Sequence, residues 1–296
     1  TSGGGNAGCI GCVCSTTTSA SSSTHKGRGY TGLPNPTGDA FDIDYVAHEM
    51  GHQFGGFHTQ SSSSCFSGSG STEVEPGSGS TIMGYAGICA PNVQFGSDAY
   101  FHYVNIRDIT ANVKSGVSSS CPTIIPFSNN APVITPIKDY IIPMSTPFVL
   151  TGSATDADGD VLNYTWEQND PESSSQANTA TPTAFKTSGP VFRSIEGSTK
   201  SFRFFPNKNT ILAGQTSNTW EVLPAVSRVL NFALTVRDNV AGGAQTATDE
   251  MKVTVSNLSG PFIITSQNTT VSYPAGSNQT ITWEVASTDQ APVNAR

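Results

Sequence analysis

His48-Glu49-Met50-Gly51-His52-Gln53-Phe54-Gly55-Gly56-Phe57-His58 gathers three of the chain's five histidines into eleven residues. The stretch reads H-E-x-x-H-x-x-G-x-x-H. Val46, Met50, Phe54 and Phe57 recur at helical spacing, so a helix is predicted over 42–57, with Asp42 or Asp44 as its N-cap and Gly55-Gly56 as its end. His48 and His52 then lie one turn apart on one face, where both imidazoles reach a single tetrahedral metal. That face stands about 200° around from Val46 and Met50 at about 100° per residue, so the apolar stripe is predicted to enter the core behind it. A third ligand on the same helix would be misplaced. Gly55 can turn the chain through a conformation closed to other residues and return His58, giving three nitrogens and one open position.

Three neutral nitrogens with an open position suit catalytic zinc, which lowers the pKa of its water to about 7. Glu49, beside the first ligand, is the expected general base: it takes the proton of the attacking water and passes it to the leaving amine. A histidine pair on a helix is more often structural, and a lone H-E-x-x-H arises by chance. The full eleven-residue pattern is far more restrictive.

Working outward, the 296 residues carry 14 Lys+Arg against 22 Asp+Glu, a formal net charge of −8, which excludes a basic nucleic-acid footprint. Only 12% of residues are charged, and Ser, Thr and Asn fill the deficit, as in secreted β-rich proteins. Cys9, Cys12, Cys14, Cys65, Cys89 and Cys121 are confined to the first 121 residues and read as disulfides. The alternative, a metal cluster begun by Cys9-Ile-Gly-Cys12, lacks a second pair at finger-like spacing. No apolar run reaches the roughly eighteen residues of a membrane span. Thr1-Ser2-Gly3-Gly4-Gly5 has neither a charged start nor an apolar h-region, so the chain is expected to begin inside a mature or truncated protein.

Residues 1–40 are glycine-rich, with β-like pieces near Ile10–Val13 and Gly29–Thr31. Ser61 to Ser80 reads as a polar surface loop, and a second helix is predicted from Ser97 to about Lys114. After Cys121 the texture changes. Residues 122–130 read as a linker. Phe148–Leu150, Val161–Trp166, Ser201–Phe205, Val229–Val236 and Met251–Val255 are short, aromatic or β-branched, and predict a β-sandwich over 131–257. Further strands near Phe262–Ile264 and Thr280–Val285 predict the start of another β domain, incomplete, over 258–296.

The motif resembles that of the metzincin zinc endopeptidases, whose metal rests above a methionine-containing turn; Ser80-Thr81-Ile82-Met83-Gly84-Tyr85 is similar to that turn. The resemblance implies a zinc-dependent peptidase acting on protein or peptide substrates, with Met83 as an apolar floor and Tyr85 as a fifth ligand or oxyanion stabiliser. Gly5 to Cys14 resembles the edge strand of reprolysin or adamalysin-type enzymes, with residues 7–13 as the surviving edge that pairs with substrate. The likeness is closest to secreted bacterial reprolysin-like peptidases with β-sandwich domains after the catalytic unit. It implies Cys14–Cys121, with Cys65–Cys89 around the methionine turn and Cys9–Cys12 left as a short pair. Thr59 departs from the Asp that adamalysins usually carry there. Only 47 residues precede His48, so most of the N-terminal subdomain, roughly a hundred residues, is expected to be missing. The expected fold is therefore an α+β metzincin catalytic domain over 1–121, followed by all-β sandwich modules of Ig, cadherin or PKD-like type.

In the β region, Asp156, Asp158 and Asp160 resemble the D-x-D-G-D turns of cadherin and PKD-like modules, and Asp238 could join them around calcium. The preferred reading is a plain solvated hairpin. His25 and His102 lack ligand spacing and read as surface or packing residues. A rival to the secreted or cell-surface peptidase is an adhesion protein whose β modules bind a cell surface or polymer and whose peptidase unit is a remnant. Intact Glu49 argues against it.

Overall fold

The computed structural model describes residues 3–16, 25–65, 70–172 and 181–295. Strand β1 (Gly4–Ala7) pairs antiparallel with β2 (Gly29–Gly32), Asn6 opposite Tyr30. The edge strand thus lies N-terminal to the expected 7–13. Residues 8–13 instead turn back, with Gly11 N–H donating to the His52 carbonyl at 2.8 Å.

A helical run follows without a break: α1 (Asp39–Phe41), a π-helical stretch (Asp42–Ala47) and α2 (His48–Phe54). Neither Asp42 nor Asp44 is the N-cap, since the run already begins at Asp39. Asp44 instead accepts from the Ser97 N–H at 2.7 Å. The predicted core face is corrected too. Met50 is 49% exposed, Phe54 38% and Phe57 42%, and Met50 and Phe54 line an open apolar groove with Ala47, Phe101, Ile106 and Ile109. Gly55, at φ 115°, ends α2 in the left-handed conformation.

Helix α3 (Tyr103–Ser115) starts six residues later than predicted from Ser97, because the His102 ring accepts from the Val104 N–H and fixes the cap there. A 3₁₀ turn, Val117–Ser119, follows, and Cys14–Cys121 ties the end of this region back to its beginning. Cys65–Cys89 and Cys9–Cys12 are also joined, as the resemblance implies.

The largest departure concerns 61–80. Ser61, Ser62 and every residue from Thr72 to Ser80 are buried rather than on the surface. Short hydroxyl side chains and glycines let this segment pack closely, and many of its polar groups are paired, within the segment and with Ala90, Pro91 and Ser194. Ser61 N–H donates to the Glu75 carbonyl and Glu75 N–H to the Thr59 carbonyl.

Beyond 130 the chain is β-rich: β3 (Val133–Ile134), β4 (Tyr140–Pro143), β5 (Phe148–Thr151), β6 (Ala154–Thr155), β7 (Asn163–Gln168) and β8 (Phe202–Phe205). After α4 (Lys208–Leu212) come β9 (Ser217–Asn218), β10 (Glu221–Val222), β11 (Arg228–Arg237) and β12 (Thr246–Ser256). A four-stranded sheet runs β4-β12-β11-β7, antiparallel except for β4 beside β12. Leu230, Phe232, Leu234 and Val236 alternate along β11 into a core with Trp166, Phe192, Phe205, Met251 and Val253. Phe148 of β5 stacks on Phe205 of β8 above that face, ring centroids 5.0 Å apart. Past 258, β13 (Ile263–Ile264) and β14 (Trp283–Glu284) form a separate pair with both isoleucines exposed.

The opposite face of β11 is also buried, at Ala233 and Thr235, because the α3 region packs on it. Glu167, fully buried, accepts from Tyr103 N–H at 2.8 Å and from Ser194 Oγ at 2.6 Å, with His102 Nε2 3.7 Å away. Arg237 donates to the Phe101 carbonyl at 2.9 Å, and Tyr100 Oη meets Ser194 Oγ at 2.7 Å. The β-rich part buttresses the segment that carries the methionine turn.

Candidate metal centre

Helix α2 sets His48 and His52 on one face, and the turn at Gly55 brings His58 back to them. Its Nε2 lies 3.3 Å from His48 Nε2 and 2.9 Å from His52 Nε2. Tetrahedral zinc with nitrogens at 2.0–2.1 Å would hold them about 3.3–3.4 Å apart. The donor set therefore fits zinc in type; the His48–His58 separation matches that spacing and the His52–His58 separation is shorter. His48 Nδ1 donates to the Ile82 carbonyl at 2.7 Å, and His52 Nδ1 to the Gly56 carbonyl at 2.7 Å. A carbonyl can only accept, so both rings carry the proton on Nδ1 and turn a lone pair on Nε2 toward the cluster.

Burial favours neutral imidazoles. It holds His48 below its usual range. His52 falls to about 4, by burial and then the charge of His48, and His58 to about 3, by burial and then its two neighbours. Neutral rings are the form that binds a metal.

Met83 is fully buried under α2. Its Sδ packs so closely on Gly51 that a β-carbon there would come within 2.4 Å. Thr59 N–H donates to the Met83 carbonyl at 3.1 Å, tying the residue after the third histidine to the methionine turn. The Tyr85 ring stands edge-on to His58, centroids 4.4 Å apart, and its hydroxyl is held above its usual range by burial and then by Glu49. Glu49 sits beside β1 and receives a backbone hydrogen bond from Ala7. Burial raises its carboxyl, and Oε2, shielded from solvent, has no hydrogen-bond partner among the described residues.

Asp156, Asp158 and Asp160 offer carboxylate oxygens within 4.8 Å of one another. Asp238 stands close enough to raise Asp160, after burial and the two nearer aspartates, but its oxygens are engaged by Asn129, Val240 and Gln245. His102 serves as a cap, and His25 stays outside the cluster.

Sequence reasoning missed the supports. Asn105 Nδ2 donates to the Phe57 carbonyl at 2.8 Å and Asn112 Nδ2 to the Phe54 carbonyl at 2.7 Å, bracketing the turn into His58. Glu75 was missed as well. Its signal is a charged residue in Thr72-Glu73-Val74-Glu75, inside an otherwise uncharged Ser/Gly stretch.

No curated protein sequence matches the chain. Residues 1–119, which contain the whole histidine cluster and the methionine turn, match the profile of metallopeptidase family M12B, reprolysin-like.

Proposed function

We propose that the chain is a secreted, zinc-dependent endopeptidase of metzincin, reprolysin-like type, cleaving peptide bonds in protein substrates. The observation that carries this reading is the convergence of His48, His52 and His58 in one cluster, with Glu49, which follows His48 in the chain, carrying a shielded Oε2 that has no hydrogen-bond partner among the described residues. Bound there, zinc supplies a Lewis acid that polarises a peptide carbonyl and acidifies a water molecule. Glu49, its carboxyl raised by burial, takes the water's proton and delivers it to the leaving amine. Met83 gives the histidines an apolar floor, and Tyr85, whose ring packs on His58, is assigned the role of stabilising the developing oxyanion. Strand β1 provides a peptide edge next to Glu49 along which an extended substrate can align.

The domains proposed are a catalytic unit over 1–121, a linker over 122–130, an Ig- or PKD-like β-sandwich over 131–257 and a further β unit over 258–296. Three disulfides support an extracellular setting, and no helix among the described residues is long and apolar enough to cross a membrane. Asp156, whose Oδ2 is shielded and unpartnered among the described residues, supports a calcium reading of the Asp156–Asp160 turn.

Zinc analysis with Glu49→Gln tests the central reading. Wild type and variant should each hold one zinc through nitrogen ligands, while the variant loses about 10²–10⁴ in turnover on a peptide library. A sulfur ligand, or undiminished turnover, would overturn it.

A further inference from the structure

Glu75 is a buried carboxylate, 1% exposed, 17 residues beyond His58 in the chain. A charge so placed is costly unless its lone pairs are filled, and among the described residues the donors that fill them come from two segments. Thr59 Oγ1 donates to Oε2 at 2.6 Å, from the residue that follows the third histidine. The other donors come from the start of the methionine turn: Ser80 N–H and Oγ to Oε1 at 2.9 and 3.3 Å, Thr81 N–H to Oε1 at 3.3 Å and Thr81 Oγ1 to Oε2 at 2.5 Å. The backbone repeats the connection, since Glu75 N–H donates to the Thr59 carbonyl.

We propose that Glu75 is a positioning residue for the metal centre: its carboxylate clamps the loop carrying His58 to the turn carrying Met83. The need for a clamp follows from how the ligands are held. His48 and His52 ride on α2, and each has its Nδ1 fixed by a carbonyl. His58 rides on a loop after the glycine turn, so its place depends on what anchors Thr59. Oε2 accepts from both Thr59 and Thr81, so one oxygen bridges ligand loop and turn, beside the Thr59 N–H bond to the Met83 carbonyl. Burial keeps water from substituting for either hydroxyl.

This inference rests on the zinc reading above, and its test separates the two. Thr59→Val removes the hydroxyl at nearly constant volume and leaves Glu75 its donors from the turn. Zinc(II) affinity is measured by chelator competition, and Tm with and without zinc, for wild type, Thr59→Val, Glu75→Ala and Glu75→Gln. Thr59→Val should weaken zinc about tenfold, as outer-shell changes do, and lower the zinc-loaded Tm more than the zinc-free Tm. Glu75→Gln, which keeps an oxygen for the Ser80 and Thr81 amides, should stay closer to wild type than Glu75→Ala. Should Glu75→Ala not fold, Thr59→Val still decides. Wild-type affinity in Thr59→Val, or an equal Tm loss with and without zinc, would overturn the clamp. Failure of the wild-type chain to bind zinc would instead strike the zinc reading.

Discussion

Glu49 lies directly against Gly5: a β-carbon added to Gly5 would come within 2.4 Å of Glu49 Oε1 and 2.8 Å of its Cγ. The same strand, through Ala7, gives the carboxylate its backbone hydrogen bond. Strand β1 therefore does more than offer an edge to a substrate. It sets where the proposed base stands, and it does so only because the residue facing the base has no side chain.

Gly5→Ala should accordingly push the Glu49 carboxylate aside while leaving the histidines alone, since their own supports come from Ile82 and Gly56. A displacement of about 1 Å can cost on the order of 10²-fold in rate. The expected result is a fall of that order in kcat with zinc affinity unchanged. Wild-type kcat in a folded variant would mean that β1 does not position the base.

Acid should destabilise the zinc-free protein through the histidine cluster. His52 and His58 have folded-state values of about 4 and about 3, below the ordinary 6.5. Between 6.5 and those values the unfolded chain binds more protons than the folded one, so stability rises with pH in that window and is lost as pH falls through it. Above 6.5 the cluster contributes no pH dependence. Tm of the zinc-free protein should drop as pH falls below 6.5, and His58→Ala should make that drop shallower. Equal slopes for the two proteins would reject the cluster as the cause.

The centre was legible because its ligands are local: His48, His52 and His58 need only a helix and one glycine turn to meet. The β strands of 131–257 were legible for a similar reason, as Leu230, Phe232, Leu234 and Val236 alternate visibly. What the sequence hid depends on partners distant in the chain. Ser61–Ser80 looks too polar to bury, yet Glu75 and the β-rich part satisfy and cover it. Met50 and Phe54 look like core, yet nothing among the described residues closes over them. Asp44 looks like a cap and instead holds the Ser97 amide, and periodicity cannot reveal that pairing.

The aspartate turn gives a prediction separate from the zinc centre. Asp156 Oδ1 accepts from the Asp158 and Asp160 amides, leaving Oδ2 for another partner. Millimolar calcium should raise Tm by linkage, by about 2.7 kcal/mol of stability at a hundredfold excess over Kd. Asp156→Asn should remove the rise. An unchanged Tm in the wild type would return the turn to the plain hairpin reading.

The last prediction concerns Glu167, which belongs to strand β7 but serves the other half of the chain. Its carboxylate accepts from the Tyr103 amide at the start of α3 and from Ser194 Oγ; Ser194 meets Tyr100 Oη, and its carbonyl accepts from Ser80 Oγ beside the methionine turn. Glu167→Ala leaves these buried donors unpaired, at about 1–3 kcal/mol for each group stranded without a partner. Because the Tyr103 amide and the Ser80 and Tyr100 hydroxyls sit in the histidine-bearing half while Glu167 and Ser194 sit in the β-rich half, neither part can relax without the other. Thermal unfolding of residues 1–257 should therefore be one cooperative transition, and Glu167→Ala should lower it as a whole by several degrees. Calorimetry distinguishes this from two independent domains. Two resolved transitions, with the mutation moving only the β-rich one, would show that the histidine-bearing half stands without its buttress.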